Sequence, residues 1–238
     1  MLVIANGAFK SGSTWQRNII RHFMDFSPLP EAFRSPHHDS FIHTDKLQEI
    51  VDSDIIREKN FLAKAHIFKK EHIEILTRNT SDVYVFMIQR DIRDAIVSHY
   101  NHFINVRRIK PSFNQYYWTV GRFKAMQILK YNQNWATYTD NVLHSSFEQL
   151  KTHTRDEVLK FAEFLGVNPD TLDLESIIEN TSLNKVREKS DRKWFFRKGK
   201  IGDHKNYLTG KMEADLKKLE SGFNLFEKAG YYLMFELR

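Results

Sequence analysis

The 238-residue chain combines 41% hydrophobic and 28% charged residues with 9 Gly and 5 Pro, which excludes a low-complexity or disordered protein and allows one well-buried domain. Cysteine is absent, so disulfides, a thiolate nucleophile and a cysteine-based zinc site are all excluded. With 36 Lys and Arg against 30 Asp and Glu the net charge is +6, which suits an anionic ligand, a nucleic acid or an acidic surface without choosing among them.

LVIAN at 2–6 reads as a short buried parallel strand that ends at Gly7. The turn that follows, GAFKSGSTW at 7–15, nearly spells the triphosphate loop G-x-x-x-x-G-K-[ST]. Gly7, Gly12 and Thr14 are in register, but Ser13 replaces the lysine, and a lysine stands earlier at Lys10. From Thr14 the period changes: Trp15, Ile19, Ile20, Phe23 and Met24 share one helical face. Strand, glycine turn and helix are the setting in which free amide groups and the helix dipole hold an anion.

Residues 27–60 read as irregular, and within them His37, His38, Asp39 and His43 form a small polar cluster for which a metal site is conceivable, although spacing alone does not identify one. FLAKAH at 61–66 is a second strand. VYVFMI at 83–88 is the clearest one, apolar throughout as a strand covered on both faces should be, and too short to span a bilayer. Residues 91–103 read as a helix and NVLHSSF at 141–147 as a further strand. Thr154 and Glu157 have the spacing of a capping box, opening a helix that Gly166 ends. Met212, Leu216 and Leu219 mark a C-terminal helix. Together these elements predict a single doubly wound α/β domain over residues 1–238, with a parallel sheet and its ligand at the strands' C-terminal ends. MLVIANGAFK has no basic leader, so the chain is expected to be cytoplasmic and not inserted in a membrane.

Arg90, just past a strand and before a helix start, is well placed for a phosphate, and Ser98 lies on the helix that follows. The excess charge is concentrated between Lys185 and Lys205, where nine Lys and Arg face three acidic residues. Within it, Arg197, Lys198 and Gly199 pair two cations with a residue that lets backbone approach an anion. A basic run is also what a solvated face or a nucleic-acid-binding module would have, with Trp194, Phe195 and Phe196 as stacking platforms.

In this order the stretches resemble the PAPS-dependent sulfotransferases, and the resemblance covers most of the chain. GAFKSGSTW is similar to the family's 5′-phosphosulfate loop PKSGTTW, QRDIRDAIVSHYNHF to its 3′-phosphate strand–helix motif, and FFRKGKIGDHKNYLT to RKGxxGDWKNxFT. FEQLKTHTRDEVLKFAEFLGV resembles the segment that joins a core strand to the next helix.

The resemblance implies transfer of a sulfuryl group from PAPS to an acceptor hydroxyl or amine, with release of PAP and no metal. Lys10, Ser11, Gly12, Ser13 and Thr14 would hold the 5′-phosphosulfate, and Lys10 would stabilise the oxygen on which charge grows. Trp15 would stack on adenine, near Phe147, Thr181 and Leu183. Arg90, Ser98, Arg197, Lys198 and Gly199 would bind the 3′-phosphate. FLAKAHIF is similar to the family's K-x-H strand, which makes His66 the general base and gives Lys64 a place at the transferring sulfonate.

The sequence departs from the family pattern at Phe9, which replaces a proline, at Phe147, which replaces a tyrosine, at Leu183, which replaces a phenylalanine, and at His204, which replaces a tryptophan. Gly210 and Ala214 depart from a dimer motif, and the oligomeric state stays open. Rival readings are a P-loop kinase, disfavoured by Ser13, and a nucleic-acid module built on the basic run. Tyr100, Phe103, Tyr116, Tyr117 and Trp118 are expected to line a pocket for a small-molecule or saccharide acceptor.

Overall fold

The structure, a computed structural model, describes residues 1–36, 38–78, 81–188, 190, 194 and 198–228, the last six without their side chains. Its first strand, β1 (Leu2–Gly7), is buried at every position. The turn after it leads into helix α1 (Ser13–Ile20). The segment expected to be irregular instead holds two strands, β2 (Arg34–Ser35) and β3 (His38–Ile42), and two short helices, α2 (Leu47–Asp52) and α3 (Ile55–Glu58). Its apolar residues repeat over too few turns to stand out, yet Ile42, Leu47, Ile50, Val51 and Ile56 all enter the core.

Strand β4 (Phe61–Ala65) precedes helix α4 (Lys70–Arg78), and β5 (Val83–Gln89) precedes the long helix α5 (Ile92–Arg107). A helical layer follows, made of α6 (Phe113–Tyr116), a wider-wound turn at Tyr117–Gly121, and α7 (Arg122–Trp135). Strand β6 (Val142–Ser146) closes the sheet and runs into α8 (Phe147–Thr152) and α9 (Thr154–Phe164). The remaining helices are α10 (Leu174–Thr181), α11 (Leu183–Glu188) and α12 (Gly210–Lys228). Among the described residues no helix is long and apolar enough to cross a membrane.

The six strands lie in the order β2-β3-β4-β1-β5-β6. All neighbours are parallel except β2, which pairs antiparallel with β3 at the edge, so the expected parallel sheet carries one reversed strand. Strand period two sorts the core into two layers. Val3, Leu62, Phe86 and Ile88 pack with Ile19, Phe161 and Ile177 on one face. Leu2, Ile4, Ala63, Val85 and Met87 pack with Ile96, Tyr116 and Trp135 on the other.

The helix ends are partly as expected. Gly166, at φ 67°, donates to Glu163 O at 2.9 Å while Val167 donates to Ala162 O at 3.0 Å, the paired bonds of a left-handed helix stop. The capping box does not form: the Thr154 hydroxyl donates back to Leu150 O at 2.8 Å because α8 runs almost directly into α9.

The chain leaves β1 toward β4 on one side and β5 on the other. The carboxyl ends of β1, β4, β5 and β6 therefore surround one crevice at the point where the strand order reverses.

Candidate active site

The turn between β1 and α1 forms the floor of a crevice of about 760 Å³. Lys10 at φ 64° and Gly12 at φ 109° are both left-handed, which curls the backbone so that successive amides face inward. Glycine is required at Gly12 by this φ and by Phe147, whose ring would lie 2.9 Å from a Cβ there. At Gly7 a Cβ would meet the Ser11 hydroxyl at 2.4 Å and Ile88 O at 2.6 Å. Helix α1 has no side-chain cap and no acidic residue in its first turn, so its terminal amides and dipole favour an anion. Ser11 and Ser13 are buried in the loop, and the Ser11 hydroxyl has no hydrogen-bond partner among the described residues.

Lys64 and His66 come from the end of β4. The Lys64 ammonium donates to Thr14 Oγ1 at 2.7 Å and lies 4.8 Å from the Phe41 ring centroid, which β3 brings opposite it in register. Desolvation pushes the Lys64 pKa down to about 8, with the Arg17 charge adding to it. Lys10 is pushed down to about 8 as well, by desolvation first and then by Lys64 and Arg90.

The His66 ring is open to the crevice, yet protein closes round its inner edge. Nδ1 lies 2.6 Å from Gly7 O. Desolvation, then the Lys64 charge and more weakly that of Lys10, push its pKa down to about 4, the Gly7 carbonyl opposing them.

Arg90, at the end of β5, donates to Lys10 O at 3.4 Å and to Lys200 O at 3.2 Å. Its guanidinium carbon lies 4.1 Å from the centroid of the Phe147 ring, which in turn meets Trp15 edge-on at 5.7 Å. Phe147, expected beside the nucleotide, thus lines the crevice as the support of Arg90 and Trp15.

Lys198 donates to the buried carboxylate of Asp203 at 3.2 Å. Gly199 is left-handed, at φ 53°, and packs under Leu183, which a Cβ there would meet at 3.1 Å. Thr181 is buried and its hydroxyl donates to Ile177 O at 2.7 Å. Ser98, Thr181, Leu183, Lys198 and Gly199 line the same crevice as the phosphate loop. Arg197 lies outside the described residues, as do His37, Phe195 and Phe196.

The expected aromatic acceptor wall is corrected. Tyr116 and Tyr117 are fully buried in the core, where Tyr117 donates to Asp215 Oδ2 at 2.9 Å and Tyr116 meets His99 Nδ1 at 2.6 Å. Tyr100, Phe103 and Trp118 do not line the crevice either. Phe9, Phe41, His99 and Lys124 do, and nothing in the local sequence pattern marks them for it. His38, from the polar cluster, joins them with its Nδ1 2.9 Å from the Ser40 hydroxyl. Among the described residues no three His, Asp or Glu side chains meet as they would around a metal ion.

Asp94 was also missed. Its buried carboxylate accepts from Gly202 N at 2.6 Å, from His204 N at 2.9 Å, and contacts His204 Nδ1 at 3.0 Å. It ties the 198–206 segment to α5.

The family profile described as a sulfotransferase domain matches residues 3–222. The chain is similar to cytosolic sulfotransferase 5 of Arabidopsis thaliana, at 30% identity over 154 residues, or 54% of this chain and 48% of that protein. It is also similar to the flavonol 4′-sulfotransferase of Flaveria chlorifolia, at 28% identity over 88% of this chain and 75% of that protein. Matches to the first two curated relatives thus span about half of their length. In fold it resembles a mouse sulfotransferase solved with PAP, at a TM-score of 0.70 and 19% identity over 94% of this chain and 85% of that one.

Proposed function

The chain belongs to the sulfotransferase domain family, and from that premise we propose that it moves a sulfuryl group from PAPS to a hydroxyl or amine of a small-molecule or saccharide acceptor, releasing PAP. The observation that carries this reading is the contact of His66 Nδ1 with Gly7 O. A carbonyl only accepts, so the 2.6 Å contact with Gly7 O fixes the hydrogen on Nδ1 and leaves the lone pair on Nε2, at the ring's outer edge. A neutral imidazole facing a crevice beside Lys10 and Lys64 is a base next to two cations, the pairing that proton removal and anion departure require.

The residues fit PAPS on a structural ground. The Ser11 hydroxyl and the Trp15 indole N–H, in the loop and the first turn of α1 that would receive it, are buried without partners among the described residues, and buried donors of this kind need an acceptor. When bound, PAPS supplies a sulfuryl group already joined to a stable leaving group. Lys10, Ser11, Gly12, Ser13 and Thr14 hold the phosphosulfate end, and the Lys10 ammonium meets the charge that develops on the leaving oxygen. Lys64, steadied by Thr14, faces the transferring group. Arg90, Ser98, Arg197, Lys198 and Gly199 take the 3′-phosphate, and Trp15, Phe147, Thr181 and Leu183 form the adenine end. His66 Nε2 accepts the acceptor's proton as the new bond to sulfur forms. Similarity to a flavonol sulfotransferase supports a small hydroxylated acceptor.

The test is transfer of labelled sulfate from PAPS to a panel of phenols, alcohols, amines and sugars in the presence of EDTA, with PAP binding measured beside it by calorimetry. Transfer in EDTA and PAP binding stronger than that of ATP with Mg²⁺ are expected. Preference for ATP with Mg²⁺ would replace the sulfotransferase reading by a kinase.

A further inference from the structure

One cation on the crevice wall, Lys124, has no part in the nucleotide assignment proposed above. Lys124 reaches the crevice from α7, half-buried, past the ring of Phe9, the residue before Lys10. Its ammonium lies 5.0 Å from the Phe9 ring centroid and donates to Gln127 Oε1 at 2.8 Å, and it forms no ion pair with a carboxylate among the described residues. His99 packs against the same Phe9 ring, 5.2 Å between centroids, and its protonation is disfavoured first by burial and then by the Lys124 charge.

The carboxylates on the crevice wall cannot serve Lys124. Asp94 is spent on Gly202 and His204, and Asp203 on Lys198 and Asn206. In the proposed assignment the nucleotide anions are met by Lys10, Lys64, Arg90 and Lys198, at the ends of β1, β4 and β5 and in the 198–206 segment. A half-buried ammonium without a counter-ion is costly, and the cost falls when an anion enters beside it.

We infer that Lys124 is the counter-ion for an anionic substituent, a carboxylate or a sulfate, on an aromatic acceptor whose ring packs against Phe9. The inference rests on the sulfuryl-transfer reading for its acceptor and adds the class of that acceptor. Phe9 has two functions here. Its face holds the ammonium by cation–π attraction, and the rest of its ring gives an acceptor ring something to stack on.

Three matched phenols test it: 4-hydroxyphenylacetate, 4-hydroxyphenylacetamide and tyramine, which put a negative, neutral or positive group on one ring. The carboxylate should exceed the amide in kcat/KM by about ten- to a hundredfold, the worth of one hydrogen bond to a charged group, and tyramine should be the poorest. Lys124→Gln should bring the carboxylate-to-amide ratio close to one, while Lys124→Arg keeps it.

The same ratio is read without turnover from calorimetry of phenylacetate against phenylacetamide, on the protein alone and on the protein loaded with PAP. Equal handling of carboxylate and amide in turnover and binding overturns the inference, as does a ratio that survives Lys124→Gln. Failure to bind PAP would instead overturn the sulfuryl-transfer reading, and binding to the protein alone would still decide the role of Lys124.

Discussion

The guanidinium of Arg90 lies over the ring of Phe147, 4.1 Å from guanidinium carbon to ring centroid. The same ring fills the space above Gly12 and meets Trp15 at its edge, so one side chain braces the loop, the indole and the arginine. Where the resembling family has a tyrosine, this chain loses a hydroxyl but keeps the aromatic face that Arg90 needs.

Phe147→Leu should therefore weaken PAP by about 2- to 30-fold, the loss of a cation–π contact of about 0.5–2 kcal/mol. Phe147→Tyr should bind PAP as the parent does. Calorimetry with PAP and AMP separates the causes, since AMP lacks the phosphate assigned to Arg90. An equal loss for both nucleotides would mean that the leucine disturbs the Gly12 turn, and that Phe147 does not act through Arg90.

PAP affinity should fall as pH rises above about 8. Lys10 and Lys64 both have pKa values pushed down to about 8 in the free protein, so each begins to lose its charge there. An anion stabilises the charged form and raises both pKa values in the complex. Binding then takes up protons above pH 8, and affinity declines by up to about tenfold per pH unit for each lysine. Calorimetry between pH 6.5 and 9.5 in buffers of different ionisation enthalpy reads the affinity and the proton uptake together. A flat affinity across this range would remove both lysines from the anion site.

His66 should become more basic when PAP binds. In the free protein its pKa is held near 4 by desolvation and by the charges of Lys64 and Lys10, and a nucleotide anion cancels the second of these causes. NMR titration of labelled His66 should show the midpoint moving toward its ordinary value with PAP. His66→Ala should lower turnover by about 10²–10⁴-fold with PAP affinity nearly unchanged. Near-full activity of that variant on an unactivated alcohol would exclude His66 as the base.

The sequence made legible what depends on local order. The strand–turn–helix at Gly7 to Trp15, the apolar runs of β4 and β5, and the lysine two residues before His66 all lie within single segments. The residues it missed are brought in by packing between distant segments. Phe41 reaches Lys64 because β3 pairs with β4, and Lys124 reaches Phe9 because α7 packs over the end of β1. Tyr116 and Tyr117 show the converse: a run of aromatics is equally consistent with a wall or a core, and helix rotation turned both inward. Asp94, in an amphipathic helix beside Arg93, gave no sign that it would be buried.

That buried Asp94 yields the last prediction. The carboxylate holds three donors, the amides of Gly202 and His204 and the His204 ring, and it sits on α5 three residues past the Asp91 cap. His204 stands where the resembling family has tryptophan, and its imidazole still supplies a ring N–H toward Asp94. The segment so fastened begins with Lys198 and Gly199, whose positions depend on Asp203 and on the left-handed turn at Gly202. Asp94→Ala leaves two part-buried amides without their acceptor, at up to about 1–3 kcal/mol for each. Stability in urea should drop by about 2–5 kcal/mol, and PAP affinity should fall in the folded variant because Lys198 and Gly199 lose their anchor. Asp94→Asn keeps one carbonyl oxygen and should recover part of both. AMP affinity should change little in either variant, since the segment serves the 3′-phosphate. A destabilised Asp94→Ala protein that binds PAP as tightly as the parent would show that the 198–206 segment takes no part in holding the nucleotide.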